Sequence, residues 1–172
     1  TVESFDLRGF TAFTDSAEPE EVMQMLRAFH GALGRIVLQH EGTLERFAGD
    51  AVMVFFNDPV PIDKPAEHAV RTAIAMHEAF VPIAKHWEKR GYDLALGVGI
   101  AQGYATLGAI GFEGRWDYAA IGNVTNLAAR LCAEAKAGQV LLDRKTMAAL
   151  EGTFEFDPAG PFELKGFSKP VA

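Results

Sequence analysis

The stretch from Glu41 to Phe56 narrows most what this chain can fold into. Two apolar-rich runs, Thr43 to Ala48 and Ala51 to Phe56, flank the dipeptide Gly49-Asp50. Short strand-like runs joined by a two-residue turn with glycine predict a tight β-hairpin. The turn then carries an acidic side chain, Asp50, where two strands end. A carboxylate held on a rigid turn offers hard oxygens suited to Mg²⁺. A lone Gly-Asp is equally good turn chemistry, so a metal role needs a second carboxylate.

The chain supplies one upstream. Val2 to Leu7 reads as a strand that ends at Asp6-Leu7-Arg8-Gly9, and Gly9 allows a sharp turn just after Asp6. Asp15 and Ser16 are candidate caps for a helix whose first turn holds Pro19, Glu20 and Glu21. Val22, Leu26, Phe29, Leu33, Ile36, Val37 and His40 mark its apolar face, and Gly42 is its expected stop.

Beyond the hairpin, a proline-containing loop leads to a second long helix over about Ala66 to Lys89, which Pro82 is expected to kink or split. Leu94 to Ala101 and Tyr104 to Ile110 read as strands on either side of Gln102-Gly103. A Gly-rich segment from Gly111 to Arg115 then reaches Trp116-Asp117-Tyr118. A third helix is expected over about Val124 to Ala135, then a short strand from Gly138 to Leu142 and a small helix capped by Asp143. Phe154 to Phe156 and Phe162 to Lys165 are expected to close the chain as a hairpin. This order is a mixed α/β one, without the steady alternation of a doubly wound sheet.

Length and composition set limits. A chain of 172 residues, 49% apolar and 23% charged, is expected to form one packed domain over residues 1–172. It starts inside its first strand, as a piece of a longer protein would. Its net charge of −7 argues against nucleic-acid binding, which draws affinity from a surplus of cations. Cys132 is its one cysteine, which excludes an intrachain disulfide and points to a reducing, cytoplasmic setting. The longest strictly apolar run, Ala51 to Phe56, is far short of the ~20 residues that span a bilayer, so no membrane contact is expected. His30, His40, His68, His77 and His86 show no metal-ligand spacing.

Asp6 and Asp50 each sit at a strand end beside a glycine. If the first strand lies next to the hairpin, both face one cleft, where a pair of divalent cations ~3.5–4 Å apart would relieve their repulsion. Asn126 and Arg130 are four apart on the third helix, hence on one face. An Arg fork there suits phosphate, and Asn can orient a ribose oxygen.

These segments together resemble the class III nucleotide cyclase catalytic domain over nearly the whole chain. Asp6-Leu7-Arg8-Gly9-Phe10-Thr11 is similar to the family's first metal motif, and Glu45-Arg46-Phe47-Ala48-Gly49-Asp50 to its second. Tyr118-Ala119-Ala120-Ile121-Gly122 resembles the base-reading segment, and Asn126-Leu127-Ala128-Ala129-Arg130-Leu131 the transition-state helix. Leu164-Lys165-Gly166 resembles the segment whose lysine meets the terminal phosphates. The resemblance implies an α+β fold with a ferredoxin-like βαββαβ core, a mainly antiparallel sheet and flanking helices. It implies a head-to-tail homodimer with shared sites, an upstream regulatory or sensor domain, ATP as substrate, and two Mg²⁺ or Mn²⁺ ions. By that likeness Asp6, Asp50 and the Leu7 carbonyl hold the metals. Asn126 and Arg130 are catalytic, and Arg46, Ala119 and Lys165 bind substrate.

The chain departs from the family pattern at three places. Arg46 stands where members using ATP usually carry lysine, Ala119 where they carry Asp, Thr or Ser, and Gly97 where an Arg is common. Members using GTP usually have an acidic residue in place of Arg46. As a donor-only side chain Arg46 serves adenine N1 and cannot accept from guanine N–H groups, although it can donate to guanine O6 and N7. The reading is therefore an adenylate cyclase. A guanylate cyclase, or a catalytically silent nucleotide-binding or dimerising regulatory module, is the alternative.

Overall fold

The computed structural model describes residues 1–171. Its elements in chain order are β1 (Val2–Arg8), α1 (Phe10–Ser16), α2 (Pro19–Gln39), β2 (Thr43–Ala48), β3 (Ala51–Phe55), α3 (Pro65–Glu88), β4 (Ala95–Ala101), β5 (Thr106–Phe112), β6 (Arg115–Ile121), α4 (Asn123–Glu134), β7 (Val140–Leu142) and α5 (Arg144–Ala149). Five strands form one sheet in the order β2-β3-β1-β4-β7. The ladders are antiparallel except for β4 with β7. The order β2-β3-β1-β4, with helices in both crossovers, is the βαββαβ core expected from the resemblance.

Alternation along the strands sorts side chains to two faces. Phe5 and Leu7 of β1, Val52 and Val54 of β3, and Leu96, Val98 and Ile100 of β4 pack on α2 and α3. Val2, Phe55 and Ala101 turn the other way and meet Ala128 and Leu131 of α4. Glycine decides how closely α4 lies on β4. A Cβ at Gly99 would sit 2.2 Å from the Cys132 nitrogen and 2.3 Å from the Ala128 oxygen, so only glycine admits the helix.

Several expectations need correction. Asp15 and Ser16 do not cap α2. They lie in α1, a short helix that buries Phe13, and α2 starts from a capping box between Glu18 and Glu21 with Pro19 at its first position. Pro82 does not split α3, because Val81 and Pro82 face solvent, where water can meet the carbonyl that loses its bond. The strand after Gln102-Gly103 does not pair with β4. It leaves the main sheet and pairs with β6, for which no strand was anticipated, as a separate two-stranded ribbon whose turn falls in the expected Gly111–Arg115 segment. The terminal hairpin does not form. Phe162 and Val171 make a single bridge, and Pro158, Pro161 and Pro170 remove the donors a longer ladder needs. No helix among the described residues is long and apolar enough to cross a membrane.

Candidate active site

The β2–β3 hairpin forms as expected, with Ala48 opposite Ala51 and Gly49-Asp50 as the two-residue turn. Gly49 has φ +64°, the left-handed region that glycine enters without strain. His30 on α2 braces this turn: its Nε2 lies 3.0 Å from the Gly49 carbonyl oxygen, which can only accept, so Nε2 donates. Its ring also stacks on Phe47, centroids 4.1 Å apart.

β1 runs beside β3 until Asp6 faces Ala51, where that ladder ends. Asp6 and Asp50 thus meet at the end of two adjacent strands, as the sequence anticipated. Burial raises the Asp6 carboxyl above the usual aspartate range, and the neighbouring Asp50 adds to the rise while Arg8 opposes it. Arg8 is paired with Asp6. Its Nε donates to the Ala135 carbonyl at 2.9 Å and its Nη2 to the Cys132 carbonyl, so Arg8 ties the metal-motif strand to the last turn of α4. A Cβ at Gly97 would meet the Arg8 guanidinium at 2.6 Å, so glycine there makes room for a cation arriving from the neighbouring strand.

Among the described residues no group of three or more His, Cys, Asp and Glu side chains could hold a metal. The available donors are the two carboxylates and, along the same strand end, the Leu7 carbonyl. Cys132 Sγ lies 3.4 Å from the Gly97 carbonyl oxygen, and burial pushes its thiol up to about 12, so it is a packing residue and no nucleophile.

The other predicted site residues lie apart from this pair within the chain. Asn126 and Arg130 stand on the exposed face of α4, opposite Val124, Ala128, Leu131 and Cys132, which are buried. Lys165 is exposed beside buried Leu164. None of the three makes a hydrogen bond or ion pair to Asp6 or Asp50.

Arg46 is exposed and makes no ion pair among the described residues. Ala119 is 4% exposed on β6, and β2 lies against that strand. Tyr118 donates to Asp58 and packs on Phe55, which fastens the base of the ribbon to the main sheet. Reading by sequence missed Arg8, His30 and Glu45 as neighbours of the site. Arg8 lay inside a quoted motif, and its basic side chain two residues from Asp6 was the available signal. Glu45 also lay inside a quoted motif, but its place, like that of His30, depends on contacts between separate elements.

Comparison with known proteins places the chain. The family model of the adenylate and guanylate cyclase catalytic domain matches residues 1–172. Adenylate cyclase 1 of Rhizobium meliloti is 32% identical over 166 residues, which are 95% of this chain and 25% of that protein. The chain therefore spans about a quarter of the length of that curated relative. Among solved structures, the adenylyl cyclase CyaB from P. aeruginosa superposes with a TM-score of 0.92 at 33% identity, covering 99% of this chain and 89% of that one. The guanylyl cyclase Cya2 superposes with a TM-score of 0.93 at 29% identity, covering 99% and 87%. With the family model matched from end to end and a relative 32% identical over 95% of this chain, the chain belongs to the class III adenylate and guanylate cyclase catalytic domains.

Proposed function

We propose that this chain is one catalytic domain of an adenylate cyclase, converting ATP to 3′,5′-cyclic AMP and pyrophosphate at sites shared by two copies. The observation that carries the reading is the meeting of Asp6 and Asp50 at adjacent strand ends. The exposed Asn126/Arg130 face, whose side chains make no hydrogen bond or ion pair among the described residues, supports a shared site. The donors fit hard divalent cations: two carboxylates whose repulsion a cation relieves, and the Leu7 carbonyl where the β3 ladder has ended. Bound there, two Mg²⁺ or Mn²⁺ ions would supply the charge that stabilises the ribose 3′-oxygen and the triphosphate.

The chain's own side chains do the positioning. Arg130 of a second copy donates its fork to the α-phosphate oxygens as charge grows on them, and Asn126 of that copy orients the ribose. Lys165 of that same copy donates to the terminal phosphates, and Arg46 donates to adenine N1, with Ala119 as the adjoining wall of the base pocket. Holding the 3′-oxygen in line with the α-phosphorus and the leaving pyrophosphate supplies most of the remaining acceleration. A head-to-tail pair with two-fold symmetry builds two such sites from complementary halves. We place the domain in the cytoplasm, where ATP is supplied and a lone thiol stays reduced, under a regulatory or sensor domain elsewhere in a longer protein.

A guanylate cyclase is the second reading, favoured by the apolar Ala119 and by the likeness to Cya2. Incubation of the folded chain with ATP or GTP and Mn²⁺, with the product identified by mass spectrometry, decides between them. Cyclic AMP is expected. Cyclic GMP alone would establish the second reading, and no product from a folded dimer would leave a silent regulatory module.

A further inference from the structure

We infer that Glu45 reads the base: its carboxylate accepts a hydrogen bond from the 6-amino group of adenine, beside the Arg46 contact to N1. The inference rests on the nucleotide-cyclase reading above and names a specificity residue within it.

The first observation is an irregularity in β2. Leu44 pairs with Val54 and Arg46 with Met53, so Glu45 is the extra residue of a bulge. A bulge sets two consecutive residues against one partner and re-aims their side chains, where a regular strand would send neighbours to opposite faces. The bulge frees Glu45 from strict alternation, and the Arg46 guanidinium lies close enough to act on its carboxyl.

The second observation is an acceptor without a donor. Glu45 Oε2 is shut off from solvent and has no hydrogen-bond partner. An orphaned carboxylate oxygen is costly, and the cost is removed when a ligand brings an N–H. The third is its location. The groups acting on this carboxyl, besides burial, are Arg46, the Ala120 backbone N–H and Asp117, which puts it against β6 at the step from Ala119 to Ala120. Ala119 offers no polar group to a base. The missing acceptor is thus replaced from the neighbouring strand.

The order of the two groups matters. Adenine presents an amino donor at C6 next to the N1 acceptor, which matches Glu45 as acceptor and Arg46 as donor. Guanine in the same register sets its O6 against the carboxylate and its N1–H against the guanidinium, so both contacts become repulsive.

The test measures binding without turnover, using 3′-deoxy-ATP and 3′-deoxypurine riboside triphosphate, which lacks the 6-amino group, by calorimetry with Mg²⁺. The wild-type chain should bind the amino compound roughly tenfold or more tightly, the size of a hydrogen bond to a charged group. Glu45→Leu should bring the ratio close to one while leaving affinity for the 6-H compound largely intact. Glu45→Gln, which keeps an acceptor oxygen, should retain part of the preference. If circular dichroism shows Glu45→Leu poorly folded, Glu45→Ala is read by the same ratio. An unchanged ratio in the folded variant, or equal weakening of both compounds, overturns the role of Glu45. Formation of cyclic AMP by the wild-type chain separates this failure from failure of the cyclase reading. A wild-type chain that binds neither nucleotide overturns both.

Discussion

Around Asp6 every element is held by partners inside the chain. β1 is laddered on both sides, α4 is pressed onto Gly99, and Arg8 bridges the strand to the Cys132 and Ala135 carbonyls. The β5–β6 ribbon is built differently. It is a separate pair of strands, fastened at its base by Tyr118 and Ala120, and its outer part holds Ile110, Phe112 and Trp116 at 47%, 68% and 62% exposure. A two-stranded ribbon is marginal alone in water, and large apolar side chains gathered at its end mark an interaction surface. The contrast teaches that one region is held by its own chain while the other leaves apolar surface open, which under the proposed function a second copy would cover. Asn126 and Arg130, exposed on α4, share that openness.

The largest test of the contrast removes a side chain from the complete region. Asp50→Ala should lower kcat by roughly 10²–10³-fold or more, because a metal ligand is lost. Its melting temperature without metal should stay level or rise, since the carboxylate it removes crowds Asp6. Wild-type turnover by this variant would end the two-metal mechanism.

Next in size is recovery of activity by mixing two dead proteins. Asp50→Ala spoils one half of each shared site and Arg130→Ala the other. After free exchange of equal amounts, half of the dimers are mixed and each has one intact site, so activity should return to roughly a quarter of wild type. A mixture that stays inactive, with exchange shown by mass spectrometry, would mean that each chain holds its own site.

The ribbon itself comes third. Phe112→Asp should turn the dimer into a monomer in sedimentation and lower activity at least about tenfold at micromolar protein. The melting temperature should change by no more than about 2 °C, as for an exposed position outside the core. A dimer of unchanged affinity would show that the ribbon lies outside the interface.

The smallest effect concerns a flaw inside the complete region. Glu3 on β1 is 0% exposed and neither carboxylate oxygen has a partner. Burial raises its carboxyl well above the ordinary glutamate value. An acid whose folded pKa is raised binds its proton more tightly when folded, so stability falls as pH rises from the unfolded pKa near 4.5 toward the folded one. The slope approaches about 1.4 kcal/mol per pH unit within that window. Glu3→Gln should remove this share of the decline in denaturation curves as pH rises above 4.5, relative to wild type. Identical slopes would show that Glu3 finds a donor in solution.

The elements with strong local signals were legible. The Gly49-Asp50 hairpin, the long α2 and α3, and the pairing of Asn126 with Arg130 on α4 follow from periodicity and turn chemistry, which act between residues close in sequence. The carboxylate pair was legible because Asp50 follows Gly49 in a two-residue turn and Asp6 lies near the end of the first strand, three residues before Gly9. The ribbon was hidden because Gly111 and Gly114 suggest a loop, whereas Gly111 lies in β5, Gly114 in the turn after it, and only pairing with β5 makes a strand of Arg115–Ile121. The failed terminal hairpin shows the converse: apolar phenylalanines suggested strands, but the prolines around them allow a single bridge.

Side-chain destinations divide the same way. By itself the sequence determined that two carboxylates, an Arg and an Asn would be available at ordered positions, since residue type and local spacing are properties of the chain. Tertiary structure decided what touches them. Arg8 fills the space over Gly97 and grips the end of α4, His30 braces the turn below Asp50, and Glu45 at the β2 bulge meets the Ala120 backbone of β6. Each of these contacts joins elements far apart in sequence, and one register shift between Leu44 and Arg46 changes the direction of a side chain without changing any residue. Such shifts are settled by packing across the sheet, where the free energy belongs to the assembled layers and to no single segment.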